Sequence, residues 1–469
     1  MIEPTVLRFT HQTEGGIVSE SRTLAVAVAG TFLVLVAFTT PLVTLVSTAG
    51  ELGSGPGGQA WILSSMSVGL AVALLVSGAV GDDHGRRRML VGGAAVLSAT
   101  SVLAALAPTT TVLVAARIGQ GIGGAAVISC SLGLIGHAYP AGPARARATG
   151  LWGASVGAGI AAGPLVMAWL DELTSWRAGF WLLAAASVAL AVAARLLLAE
   201  SKAQTPRPVD LAGAALLGGG LVALLAGLVE GRERWSQPLV VGLLVAAVLL
   251  ILGFLRRESR TREPMLDLAL FRRPAFVASM VAGLATGAGV IGLMSFSPTF
   301  LQRGLAVSTF DTALLLLAWS GTSAVVALLA RRLPAALGVP ARLVLSLLVV
   351  AGGLAMLSGL HTDADALDLV PGLLVAGVGS GVLNAALGQI AVTSVPAGRG
   401  SVGSGANNTA RYVGGALGVT VVAILAAHDT PAALVSGWDS AALVTAAVSV
   451  AGALLVLATS VTARRLARA

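Results

Sequence analysis

The residues of this 469-residue chain best equipped for chemistry lie in one short stretch, GAVGDDHGRRRML at positions 78–90. Two carboxylates, Asp82 and Asp83, stand beside three guanidinium groups, Arg86, Arg87 and Arg88. Such a set transfers no group by itself; it makes ion pairs and helix caps that can form and break. Arg117 is a second candidate, a cation within a long apolar run. A charge there costs on the order of 3 kcal/mol, so it normally faces a cavity or a partner. Enzyme chemistry finds little else. Cys130 is the single cysteine, which excludes a disulfide or a cysteine metal site within one chain. No metal-ligand cluster or nucleophile–base arrangement stands out, so neither an enzyme nor a cofactor is expected.

The elements that hold these residues are membrane spans. The chain is 56% hydrophobic and 11% charged, with 59 glycines; soluble domains carry about 25% charged residues. The net charge of +8 does not point to nucleic acid, because the arginines fall in short clusters between apolar runs. The lipid bilayer is the expected partner. A span needs roughly 20 apolar residues. That rule predicts helices near 23–46, 60–80, 89–107, 111–136, 149–169, 178–198, 211–229, 238–255, 275–298, 310–330, 341–360, 369–394, 403–427 and 439–461. With the N-terminus inside, the inner loops hold the clusters at 86–88, 256–262, 272–273 and 331–342. The outer loops hold only Arg177, Arg232, Arg234 and Arg303. This positive-inside bias supports an even number of spans with both ends cytoplasmic. His137 and His428 fall at span ends, and Trp61, Trp176, Trp235 and Trp438 are read as interfacial anchors. Two motif matches are set aside. Gly119, Gly121 and Gly124 fit G-x-G-x-x-G without a preceding strand. Asn407-Asn408-Thr409 fits a glycosylation acceptor but is predicted cytoplasmic or buried.

Gly78, Asp82, Gly85, Arg86 and Arg87 form G-x-x-x-D-x-x-G-R-R, which resembles the loop between helices two and three of major facilitator superfamily transporters. Arg117-Ile118-Gly119-Gln120-Gly121 resembles the R-x-x-Q-G pattern of the fourth helix. Gly153, Gly157, Gly159, Gly163 and Pro164 are similar to the glycine-rich antiporter motif ending in Gly-Pro, although Met167 and Ala168 stand where paired glycines usually follow. Ser175-Trp176-Arg177, the stretch 264–276 and the stretch 404–418 resemble the fourteen-helix drug/proton antiporter branch. The resemblance implies an all-α integral membrane protein of the major facilitator fold with 14 transmembrane helices, arranged as six, two inserted and six. The organisation expected is a cytoplasmic tail at 1–22, a six-helix bundle at 23–200 and two inserted helices at 201–256. A cytoplasmic linker at 257–274, a second bundle at 275–462 and a tail at 463–469 complete it.

In that frame the 78–90 loop is a cytoplasmic gate, and the two small-xxx-small spacings of the fifth span form a hinge or seal between the halves. Its second-half counterpart, around Arg331, Arg332, Gly338 and Arg342, lacks the acid. Arg117 would face the central cavity. Gln120, Thr39, Thr40, Asn384, Gln389, Asn407 and Arg411 are the further cavity or coupling candidates. Related antiporters place an aspartate near this arginine; here Ala37 or Phe38 stands there. All 21 acidic residues fall in predicted loops, tails or helix ends, and Asp311 and Glu230, near outer ends, are the candidate proton carriers. The expected function is a secondary active exporter of small amphipathic compounds in the cell membrane, proton-coupled and working as a monomer. Anionic or neutral substrates should be favoured over lipophilic cations. The alternatives are a lipid or lipophilic-metabolite transporter without tight coupling and, from another class, a membrane sensor or scaffold.

Overall fold

The computed structural model describes residues 6–203, 206–232, 234–334, 337–360, 365–426 and 430–466. Described residues are helical or in connections, with no strand among them. The first set of helices is α1 (Val6–Thr39), α2 (Pro41–Leu52), α3 (Pro56–His84), α4 (Arg86–Ala105), α5 (Thr110–Ala138), α6 (Pro143–Leu173) and α7 (Trp176–Leu197). A pair follows, α8 (Leu211–Glu230) and α9 (Pro238–Glu258). The second set is α10 (Pro274–Thr286), α11 (Gly292–Gly304), α12 (Thr309–Leu329), α13 (Val339–Ala355), α14 (Val370–Thr393), α15 (Gly400–Ala426) and α16 (Pro431–Leu466).

Among the described residues, thirteen helices are long and apolar enough to cross a membrane, and α13 is a shorter apolar helix of 17 residues at the position predicted for the eleventh span. Two predicted spans are not single helices. The first is cut at Thr40–Pro41, because proline has no N–H to give the carbonyl four residues back. The ninth carries a π-helical segment, Gly287–Ile291, between α10 and α11; such segments concentrate at functional sites. The predicted tail at 1–22 is helical from Val6, continuous with the first span. The linker at 257–274 contains a short 3₁₀ turn, Leu268–Arg272. His428, Arg468 and the end of the predicted C-terminal tail lie outside the described residues.

Burial follows from the requirement that helices match small residues to one another while exposing large apolar ones to lipid. One apolar cluster is drawn mainly from Val26 to Leu198, with Leu225 and Leu228 of α8 and Ala313, Ala391, Val392 and Tyr412 of the second set joined to it. Another runs from Ala278 to Val456. Between the sets, α3 packs on α15, and α6 on α12 and α14. A third cluster joins Leu75 and Ala79 of α3, Leu217 and Leu221 of α8, and Val402 and Ala406 of α15. Thus α8 touches both sets. α9 lies on its outer side with Leu239, Leu249 and Leu252 more than half exposed, the pattern of a lipid-facing helix. The tryptophans divide: Trp176 and Trp438 are buried, correcting their reading as interfacial anchors. Their N–H groups reach Glu51 Oε2 at 2.6 Å and the Leu357 carbonyl at 2.8 Å. A buried indole N–H requires such a partner.

Candidate transport pathway and clasp

At one end of the molecule the two helix sets are tied together through Asp82. It is fully buried and accepts Arg86 Nε at 2.7 Å on Oδ1. Its carboxylate also accepts the backbone N–H of Ser401 at 3.2 Å and of Val402 at 2.9 Å, capping the first turn of α15. A carboxylate there satisfies orphan donors and the positive helix end together. Arg86 reaches on to the Gly398 carbonyl at 2.6 Å, and Arg399 pairs with Asp83 at 2.8 Å. Gly78 lets the backbone of α15 lie against α3, since a Cβ there would collide with the Ser401 carbonyl. Gly85, at φ 133°, occupies a conformation open to glycine and turns the chain from α3 into α4.

The spacing at 78–87 pointed to these residues, but several partners were not foreseen. Glu200 caps α4 through the N–H groups of Arg87 at 3.0 Å and Arg88 at 3.3 Å. Arg399 is the other partner that no motif singled out. Its position one residue before α15, in a P-A-G-R-G turn, was the available signal.

Arg117 does not line any of the cavities described below. Its guanidinium is wholly buried and donates to the carbonyls of Ala37 at 2.6 Å and Phe38 at 3.2 Å, and to Gln120 Oε1 at 2.9 Å. Gln120 passes the contact to Ser101 at 2.8 Å. Ala37 is four residues before Pro41, so its carbonyl is the one proline leaves without a helical donor. Pro41 was therefore the missed sequence signal: the cation substitutes for the absent N–H. Thr39 and Thr40 spend their hydroxyls on their own helix, at Leu35 and Val36. Neither hydroxyl reaches Arg117.

The glycines of α6 face two ways. Cβ atoms on Gly153 and Gly157 would meet the backbone of Ala385 and Ala324 in the second set; on Gly159 and Gly163 they would meet Phe32 and Thr39 of α1. Only the first pair lies between the sets. Pro164 is accommodated inside α6, which continues to Leu173.

Opposite the clasp, a cavity of about 510 Å³ opens between the sets. Phe38, Leu42, Phe296, Trp235, Arg232 and Arg303 are among the residues that line it. Burial lowers the pKa of Arg232 to about 10, so it stays charged at neutral pH. A smaller cavity of about 20 Å³ lies against Gly157, Ile160, Trp319, Asn384 and Arg411. Ile291 lines both. Gln389 is separate, on a cavity of about 500 Å³ with Arg147, Arg331 and Arg342. Asn407 is also separate from the smaller cavity, donating to Ser279 on α10 at 2.7 Å. The two candidate acids are not brought together. Glu230 accepts Trp61 Nε1 at 2.6 Å, while Asp311 is exposed in the first turn of α12, bonded to Ser308 at 2.7 Å. No cluster of three or more metal-ligating side chains occurs among the described residues.

The family model of the Major Facilitator Superfamily matches residues 27–419. The chain is 34% identical over 387 residues to a probable actinorhodin transporter of Streptomyces coelicolor, covering 80% of this chain and 67% of that protein. It is 30% identical to a tetracenomycin C resistance and export protein of Streptomyces glaucescens, over 82% of this chain and 71% of that one. It is 32% identical to a puromycin resistance protein of Streptomyces alboniger, over 88% and 85%. The fold matches the crystal structure of the human organic anion transporter MFSD10, with a TM-score of 0.68 at 17% identity, over 93% of this chain and 99% of that one.

Proposed function

The chain belongs to the major facilitator superfamily, and from that premise we propose that it exports small amphipathic compounds from the cell by proton-coupled alternating access. It is a multi-pass membrane transporter of small molecules. The observation that carries the reading is the clasp across one end of the helix sets with a cavity at the other. Asp82, Arg86 and the start of α15 join the helix sets at one end, while a cavity of about 510 Å³ opens between them at the other. Alternating access requires that such a tie between the sets break and re-form. Relatives named for export of, or resistance to, antibiotics support a drug or metabolite cargo.

In this reading the spans number fourteen, with α13 as the eleventh, and are grouped six, two and six. Both termini are cytoplasmic, so the clasp is the inner gate and the structure is open to the outside. The monomer is the working unit, in the plasma membrane. Gly153 and Gly157 form the seam on which α6 moves against the second set. Arg117 with Gln120 holds the broken first span in place. Of the two candidate acids, Glu230 is the better proton carrier: it is half-buried and has a single partner, Trp61, to exchange for a proton.

Everted vesicles containing the protein test this. Tetracenomycin C is expected to accumulate when the lumen is acid, and accumulation to stop when the pH gradient is collapsed. Accumulation that survives gradient collapse would replace this reading with uncoupled transport of lipophilic metabolites. Glu230→Gln is expected to abolish the response to the gradient while leaving substrate exchange across the membrane.

A further inference from the structure

The smaller cavity contains a cation with no counter-charge. Arg411 is 7% exposed and projects from α15 into the space between the sets. Its Nε is buried without a hydrogen-bond partner, and it takes part in none of the ion pairs among the described residues. Asn384 lines the same cavity, is 4% exposed, and has an unpartnered Oδ1. Its Nδ2 lies 3.5 Å from Ser323 Oγ. A hydroxyl donates as readily as it accepts, so the amide can turn over and aim its NH₂ into the cavity with the Ser323 contact kept. Two polar groups, each more than nine-tenths buried, thus converge on one space without being satisfied there. Buried polar atoms without partners are uncommon and require an explanation.

The space, about 20 Å³, is of the order that one or two waters fill. It admits a carboxylate or an ionised phenol oxygen, not a whole drug-sized molecule. Ile291 lines both this space and the larger cavity, whose walls are mainly apolar and include Arg232 and Arg303. Among its described lining residues there is no carboxylate. Cations thus stand on both cavities, Arg232 and Arg303 on the larger and Arg411 on the smaller, with apolar surface in the larger one.

We propose that Arg411 and Asn384 bind the deprotonated oxygen group of an organic anion, whose apolar body occupies the larger cavity. This rests on the export reading and names its substrate class. Lipophilic cations are disfavoured on this route because no carboxylate on it compensates their charge. Arg411, and not Arg117, is then the residue that sets charge selectivity, since the carbonyl cage already engages Arg117.

The test is equilibrium dialysis of the full-length protein in detergent with 2-naphthoate and its uncharged isostere 2-naphthamide. The wild type is expected to prefer the acid by at least about tenfold. Arg411→Gln removes that preference by weakening naphthoate binding far more than naphthamide binding. Asn384→Asp does the same by giving Arg411 a carboxylate of its own on the same cavity, and serves if Arg411→Gln does not fold. Equal affinity for acid and amide in the wild type would overturn the proposal, as would equal loss of both ligands in the variants. Full displacement of naphthoate by excess chloride, against gluconate as control, would also overturn it, by assigning the site to an inorganic anion. Dialysis needs no transport. Vesicles that fail to export although the acid preference is present would count against the export reading alone; vesicles that export naphthamide but not naphthoate would count against the anion site alone.

Discussion

Arg117 and Arg411 occupy comparable settings, one in each helix set, both buried and both without a carboxylate partner. They differ in what the backbone nearby supplies. Pro41 breaks the first span and frees the Ala37 carbonyl, so Arg117 is held by main-chain oxygens and by Gln120. α15 has no such break, and Arg411 opens onto a cavity with no main-chain carbonyl among the described residues receiving its guanidinium, although the Nε of both arginines is unpartnered. The first arrangement is a structural clamp and the second a binding site. A buried charge therefore does not declare a function; the fate of its hydrogen bonds does. The two are mechanically close as well. The Phe38 carbonyl accepts from Arg117, while the Phe38 ring meets that of Tyr412, the neighbour of Arg411, edge-on at 5.6 Å.

The sharpest way to break this comparison is Arg117→Ala. It orphans the Ala37 and Phe38 carbonyls and the Gln120 oxygen, and should cost on the order of 3 kcal/mol or more of stability. Thermal unfolding in detergent reads it as a large fall in midpoint. A variant as stable as the wild type would return Arg117 to the pathway. Pro41→Ala sharpens the cause, since it restores an N–H to Ala37. A double-mutant cycle of the two should show a coupling of about 1 kcal/mol or more; additive effects would mean that the broken first span is not what Arg117 holds.

The clasp supplies a third comparison, a carboxylate with its partners in place. Asp82→Asn keeps the shape but removes the charge that pairs with Arg86 and caps α15. It should favour separation of the sets at that end. Cys130 is fully buried with Gly81 packed against its Sγ, and it is the only cysteine, so it reports this directly. Maleimide labelling of Cys130 should accelerate several-fold in the variant; an unchanged rate would show that the pair does not hold the sets together. The smallest effect belongs to Arg411→Gln. Removing an uncompensated buried charge should alter stability by less than about 1 kcal/mol, in either direction. A collapse in stability there would make Arg411 a second clamp.

Much of this was legible beforehand because lipid enforces simple rules. Apolar run length located the helices, and the 78–87 spacing picked out Gly78, Asp82, Gly85 and Arg86, all of which meet at the clasp. Glu200 and Arg399 were not legible, because a capping acid 113 residues from the N–H it binds leaves no local pattern. Thr39, Thr40 and Asn407 were overread. Polar residues in apolar runs suggest a cavity, yet their hydroxyls and amide are satisfied by helix carbonyls or by a neighbouring helix.

The sequence by itself determined that the chain spans a membrane, roughly where its helices run, and which loop carries the clasp. Those properties follow from one-dimensional quantities, the length of apolar runs and the spacing of charges. Only the tertiary structure decided which buried arginine is held by main-chain carbonyls and which glycine pair lies between the sets. It also decided where a cavity opens. These depend on which carbonyls and side chains packing brings within 3 Å of each other, and residues as distant as Asp82 and Val402 come into contact only when the two helix sets meet.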